Sequence, residues 1–84
     1  MAKSFETGIY SSDRTIYEGK VISMVVPIES GFLGILADHA PLIAKLSPGK
    51  VTIRTAQGNT SSISLSQGGF LEILRNQVTL LLSQ

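Results

Sequence analysis

Cysteine and tryptophan are both missing from this chain of 84 residues. Without cysteine there is no disulfide scaffold and no thiolate metal site, and the chain suits a reducing compartment. Long apolar runs are missing too. Each is cut short by Gly, Ser or Pro, so nothing approaches the ~18 apolar residues that cross a bilayer as a helix. The opening MAKSFETGIY lacks the apolar core of a signal peptide and the arginine-rich character of a transit sequence. A soluble, cytoplasmic chain is the expectation. Charge of one sign is equally scarce. Seven basic and six acidic residues, a formal charge of +1, are scattered singly. No basic track could follow a phosphate backbone, so nucleic acid is not an expected partner.

What the chain has in excess is apolar side chains. Only 15% of residues are charged while 43% are hydrophobic, against about a quarter charged in ordinary soluble domains. Residues 1–84 form a single small domain with no room for a second core. Some of that apolar surface is therefore expected to be covered by a partner.

The apolar residues recur with the period of strands. Phe5, Thr7 and Ile9 share one face, and Ile22, Met24, Val26 and Ile28 line another opposite Val21, Ser23 and Val25. Val51, Ile53 and Thr55 alternate with Lys50, Thr52 and Arg54, while Ile63 pairs with Leu65, and Val78 with Leu80 and Leu82. Turn-forming groups stand between the apolar runs: Glu18-Gly19-Lys20, Ser47-Pro48-Gly49, Gln57-Gly58-Asn59, Gln67-Gly68-Gly69 and Asn76-Gln77. No window keeps a helical period, and Pro41 pushes Ala40 toward extended geometry, which makes the Asp38–Leu42 segment a loop entering a strand. Short strands with a turn about every ten residues predict an all-β antiparallel sandwich or small barrel.

Catalytic chemistry finds little to use. The one histidine, His39, stands beside Asp38, but adjacent side chains in an extended segment point to opposite faces, which is poor geometry for orienting an imidazole. The six acids (Glu6, Asp13, Glu18, Glu29, Asp38, Glu72) are isolated from one another in sequence. Gly31-Phe32-Leu33-Gly34 is no phosphate loop, since no helix follows it. No catalytic residue, metal ligand or cofactor-binding residue is assigned. From the residues alone, His39 reads as a turn histidine bonded to a nearby carbonyl, with a partner contact as the alternative.

Four blocks then occur in an order and spacing that resemble one family. They are GFLGILADHAPL over Gly31–Leu42, LSPGKVTIR over Leu46–Arg54, LSQGGFLEI over Leu65–Ile73 and NQVTLL over Asn76–Leu81. FETGIYSSDRTIYEGKV over Phe5–Val21 resembles the same family's opening. The chain is similar along its whole length to the N-terminal β-sandwich domain of the epsilon subunit of F-type ATP synthase, called delta in mitochondria.

The resemblance implies a flattened antiparallel sandwich of about ten short strands. It implies a non-catalytic rotor subunit of the central stalk, bracing the gamma subunit against the membrane c-ring and coupling ion-driven rotation to ATP synthesis. The catalytic sites would lie on other subunits, with no cofactor and no small-molecule ligand here. By position, the Glu29-Ser30-Gly31-Phe32-Leu33 loop would face the c-ring, with Phe32 at its tip. Tyr10, Ser11 and Ser12, with Asp38, His39, Ala40, Pro41, Leu42, Ile43 and Ala44, would face gamma. His39 then becomes an interface or loop-shaping residue. The implied location is the cytoplasmic face of a bacterial plasma membrane, peripheral through the complex, with the stromal side of a thylakoid as the lesser alternative.

Two departures accompany the resemblance. Ala37-Asp38 stands where many relatives have Pro-Gly, and Asp accepts such a turn by hydrogen-bonding its own backbone. The family's C-terminal helical pair, which inhibits hydrolysis and in some members binds ATP, is expected to be absent. Other classes remain as alternatives. A free-standing sandwich that binds a ligand or peptide would show exposed aromatics, whereas most of the two Tyr and three Phe here read as core. A biotin or lipoyl carrier would present a lysine at a hairpin tip between apolar neighbours, which Lys20 and Lys50 do not match.

Overall fold

Alternating buried and exposed residues build the strands of the computed structural model, which describes residues 2–83. The strands are β1 (Phe5–Tyr10), β2 (Thr15–Ile28), β3 (Gly31–Ile35), β4 (Leu42–Leu46), β5 (Gly49–Thr55), β6 (Thr60–Leu65), β7 (Gly69–Leu74) and β8 (Gln77–Leu82), with no helix among the described residues. β7 shows the rule most plainly. Gly69, Leu71 and Ile73 point inward while Phe70, Glu72 and Leu74 point out.

The strands form one hydrogen-bonded sheet in the order β4-β7-β8-β1-β2-β5-β6, with β3 on β2 as well. That sheet curls into two facing layers, β4-β7-β8-β1 and β3-β5-β6, with β2 shared between them. The extents of 35 × 23 × 19 Å are those of a flattened sandwich. Fifteen hydrophobic side chains of the described residues fill the space between the layers, each worth about 1.5–3 kcal/mol when fully buried. Ile9, Val21, Val26, Val51 and Leu80 are completely enclosed.

The all-β class stands, with four differences from expectation. Among the described residues there are eight strands rather than about ten, and the expected turn at Glu18-Gly19-Lys20 does not exist. Gly19 lies mid-strand, paired with Thr7, and β2 runs on for 14 residues. The glycine serves a close approach: a Cβ there would sit 3.1 Å from the Tyr17 hydroxyl, and one on Gly8 would collide with the Tyr10 ring. Each tyrosine thus lies over a glycine of its own strand.

The second difference is a bulge in β2. Val21 opposes Thr55 and Ser23 opposes Arg54, leaving Ile22 as the extra residue. The inward phase shifts there, so Val21 and Met24 are both buried and Ile22 drops out of the expected inward row. Third, β1 and β8 pair in parallel, while every other ladder is antiparallel. Last, the final turn falls on Arg75-Asn76 rather than Asn76-Gln77. Both residues have positive φ, 51° and 60°, between the facing pair Leu74 and Gln77, which is the primed two-residue hairpin geometry.

Candidate subunit interface

Asp38 and His39 do not form a catalytic pair. The Asp38 carboxylate accepts from Lys3 Nζ at 2.9 Å on both oxygens and from Asn76 Nδ2 at 2.9 Å. The Lys3 ammonium, and after it the Asn76 amide, hold its pKa below the usual aspartate value. The half-buried His39 ring places Nδ1 2.8 Å from its neighbour's carbonyl, Ala40 O. A carbonyl only accepts, so this contact needs the proton on Nδ1. The backbone-carbonyl reading of His39 is therefore what the structure displays. The expected self-bonding of Asp38 is not: its partners come from the N-terminal segment and the β7–β8 turn.

The Glu29–Leu33 stretch is a tight hairpin rather than a loop. Glu29 and Ser30 make the turn, Gly31 opposes Ile28, and Phe32 lies within β3 opposite Pro27. Phe32 is 69% exposed, so its ring does not fold back over the sheet. Leu33, its neighbour, turns inward against the core. With Leu36 and Val25, Phe32 forms an apolar strip along the outward side of the β2–β3 pair.

The residues expected to face gamma lie on the other layer. Strand directions put the Ser11–Arg14 turn at one end of the sandwich and the Asp38–Pro41 loop at the other. The outward face of β4-β7-β8-β1 joins them. Its rows can be read from the register: Lys45, Phe70, Leu81 and Tyr10 lie side by side across four strands, and Ile43, Glu72, Thr79 and Gly8 form the next row. Ile43, Phe70 and Leu81 are 76%, 56% and 55% exposed and border a shallow depression of about 230 Å³ with Glu72 and Thr79. Leu42 and Ala44, between the exposed β4 positions, are half-buried against the core. At the far edge the Tyr10 hydroxyl donates to Glu18 Oε2 at 2.8 Å, which raises its pKa. Ser11 Oγ donates to Asp13 Oδ1 at 3.0 Å, and the Ser11 amide closes the turn on Arg14 O.

Phe70 and Leu81 had no place among the expected interface residues. The signal was present in the run Leu80-Leu81-Leu82, where both faces of one strand are apolar. The aromatic residues also divide differently from expectation. Phe5 is core, but Phe32 and Phe70 are surface residues and both tyrosines are half-buried.

An all-β sandwich whose two outward faces each carry a cluster of large apolar side chains has the character of a protein-interaction domain. Comparison with known proteins gives the class a family. A sequence model described as "ATP synthase, Delta/Epsilon chain, beta-sandwich domain" matches residues 4–84. The ATP synthase epsilon chain of Dichelobacter nodosus is 41% identical over 81 residues, 96% of this chain and 56% of that one. The epsilon chain of Leptospira interrogans is 38% identical over 80 residues, covering 95% and 61%. The chain thus spans a little over half the length of the relatives it matches, and it belongs to the delta/epsilon β-sandwich family of ATP synthase.

Among solved structures, a chain of the Euglena gracilis mitochondrial ATP synthase OSCP/F1/c-ring assembly superposes with a TM-score of 0.89 at 20% identity, over 96% of this chain and 51% of that one. A chain of the Tetrahymena thermophila mitochondrial ATP synthase central stalk/c-ring assembly gives 0.80 at 13% identity, over 99% and 66%. Those two likenesses establish the fold.

Proposed function

We propose that this chain is a non-catalytic central-stalk subunit of an F-type ATP synthase, docked on the gamma subunit and resting on the c-ring. Its relatives are named as epsilon chains, and the superposed chains come from assemblies described by their central stalk or c-ring. The observation that carries the docking is the exposed apolar face of β4-β7-β8, continuous with the Asp38–Leu42 loop through Ile43. A free-standing domain of this size gains nothing by leaving Ile43, Phe70 and Leu81 in water. Covered by a partner, they are the aromatic and aliphatic anchors on which interface energy concentrates. The Phe32 strip, on the outward side of the opposite layer, is the candidate c-ring contact, beside the Glu29-Ser30 turn. Two docking faces back to back on one rigid sandwich suit a brace that passes torque between ring and gamma. ATP chemistry belongs to other subunits on this reading. Attachment to the membrane, at the cytoplasmic face in a bacterium, comes through the complex; no helix of the described residues is long and apolar enough to span it.

Titration calorimetry against the gamma subunit tests the reading. Phe70→Asp, which buries a charge in the contact, and the His39→Ala, Leu42→Asp double variant are compared with wild type. Phe70→Asp is expected to weaken one-to-one binding by about a hundredfold or more, the cost typical of losing a central anchor. Binding that survives both variants would move the gamma contact off this face. No binding by the wild-type chain would leave a sandwich module with a different ligand.

A further inference from the structure

The loop between β3 and β4 crosses from one layer of the sandwich to the other, and it is held by a residue 38 positions away. Asn76 Oδ1 accepts the Asp38 amide proton at 2.6 Å, and Asn76 Nδ2 donates to Asp38 Oδ1 at 2.9 Å. One carboxamide thus holds both the backbone and the side chain of Asp38. Asn76 is anchored in turn, since its carbonyl accepts the Glu6 amide of β1 at 2.9 Å. Lys3 closes the far side of the carboxylate. The backbone here is of an uncommon kind. Asp38, Arg75 and Asn76 all have left-handed φ values, 65°, 51° and 60°, and none is glycine. A non-glycine residue persists there when its surroundings over-determine it, and the paired Asp38–Asn76 bonds are such surroundings.

We propose that Asn76 is a positioning residue for docking: with Lys3 it locks Asp38 and so presents His39, Ala40 and Pro41 to the partner as a preformed loop. The inference rests on the proposed gamma docking of that loop. The amide bonds matter more than the ion pair, because Lys3 and Asp38 are 62% and 61% exposed and a pair in water is screened. Locking places the ordering cost of the loop in folding rather than in association, which is how a rigid loop gains affinity without a new contact. The His39 ring follows the backbone, since its Nδ1 is bonded to the adjacent carbonyl of the same loop.

The test uses Asn76→Gly, Asp38→Gly and the double variant, because glycine tolerates the left-handed backbone while removing the side-chain bonds, with Asp38→Asn as the control for the backbone freedom that glycine adds. Affinity for gamma is read by calorimetry, amide exchange at residues 38–40 is read on the free chain by NMR, and melting temperature is recorded to separate loss of docking from loss of fold. Each single variant is expected to weaken gamma binding by about tenfold, the size of one or two net hydrogen bonds. The double variant should lose little more than either single, since the two residues act through each other. Exchange at 38–40 should accelerate in all three. Asp38→Asn, which keeps an oxygen for Asn76 and gives up only the Lys3 pair, should restore most of the affinity lost in Asp38→Gly. Wild-type affinity in Asn76→Gly despite faster exchange overturns the positioning role while leaving the docking reading intact. Independent, additive losses also overturn it. A wild-type chain that does not bind gamma overturns the docking reading first, and this role with it.

Discussion

Among the described residues Thr7 is the one buried polar side chain of the core, and its Oγ1 has no hydrogen-bond partner there. It sits in β1 between Phe5 and Ile9, two residues that are also buried, and is flanked by Gly19 on β2 and Val78 on β8. An orphaned hydroxyl taken out of water costs about 1–3 kcal/mol. Valine has nearly the same shape, with a methyl group in place of the hydroxyl, and the strand environment favours a β-branched residue as much as before. Thr7→Val is therefore expected to stabilise the chain by about 1–2 kcal/mol. For a domain this small each kcal/mol raises the melting temperature by about 4–8 °C. Calorimetric or circular-dichroism melting of both proteins reads the difference. Because Thr7 faces inward, affinity for gamma should not change. A melting temperature that falls would refute the reasoning, since it would mean that the hydroxyl is satisfied in solution.

Arg75→Gly should stabilise the β7–β8 hairpin by about 0.5–1 kcal/mol, relief of left-handed strain being partly offset by a more flexible unfolded chain; chemical denaturation reads it. For Asp38 the folded pKa lies below the unfolded one. Its contribution is thus complete above the usual aspartate value of about 3.9 and is lost as pH falls through the folded value. An NMR titration should show the Asp38 carboxyl protonating after the ordinary aspartate range has been passed, with the Asn76 side-chain amide signals moving in step. Tyr10 has the opposite sign. Its pKa is raised by the hydrogen bond to Glu18, then by desolvation and by the Glu18 charge. What that bond contributes is complete below the free tyrosine value of about 10 and is lost as pH rises through the higher folded value. In an absorbance titration, Tyr10→Phe should remove a phenol that ionises above the free tyrosine value.

Local alternation carried much of this fold. Phe5, Thr7 and Ile9, Val51 and Ile53, and Val78, Leu80 and Leu82 all face inward as their spacing predicts. Most of what failed depends on a neighbour distant in sequence, with Gly19 and the Arg75-Asn76 turn as local exceptions. Gly19 signals a turn and a ring-covered strand position equally well, and only the placement of Tyr17 tells them apart. The Ile22 bulge exists because β2 must change pairing partners there. No residue of β1 or β8 encodes that the two lie side by side in parallel. On the proposed docking, Ile43 and the His39 loop are named through the family resemblance, whereas Phe70 and Leu81 join Ile43 only through the β4–β7–β8 register. Asn76 was legible as a turn residue but not as the anchor of a loop 38 positions earlier.

The shared strand bears on how a brace of this kind would carry load. In most sandwiches the two sheets meet only through side-chain packing, which can slide. Here β2 belongs to both layers, and Val21 is the junction, paired with Phe5 on one edge and Thr55 on the other. The hydrogen-bond ladder therefore runs unbroken from β4 at one edge to β6 at the other. On the proposed role, gamma holds the β4-β7-β8 face and the c-ring presses the β3 side. Torque between them would then cross covalent backbone and ladder bonds before it reached the packed core. The bulge at Ile22 gives β2 the bend this requires, and the fully buried Val21 and Met24 on either side of it keep the bend from acting as a hinge. Restoring regular register by deleting Ile22 should therefore cost coupling more than its loss of stability explains. The comparison to make is ion-driven ATP synthesis against a core variant of equal melting temperature, and equal coupling in the two would refute the idea.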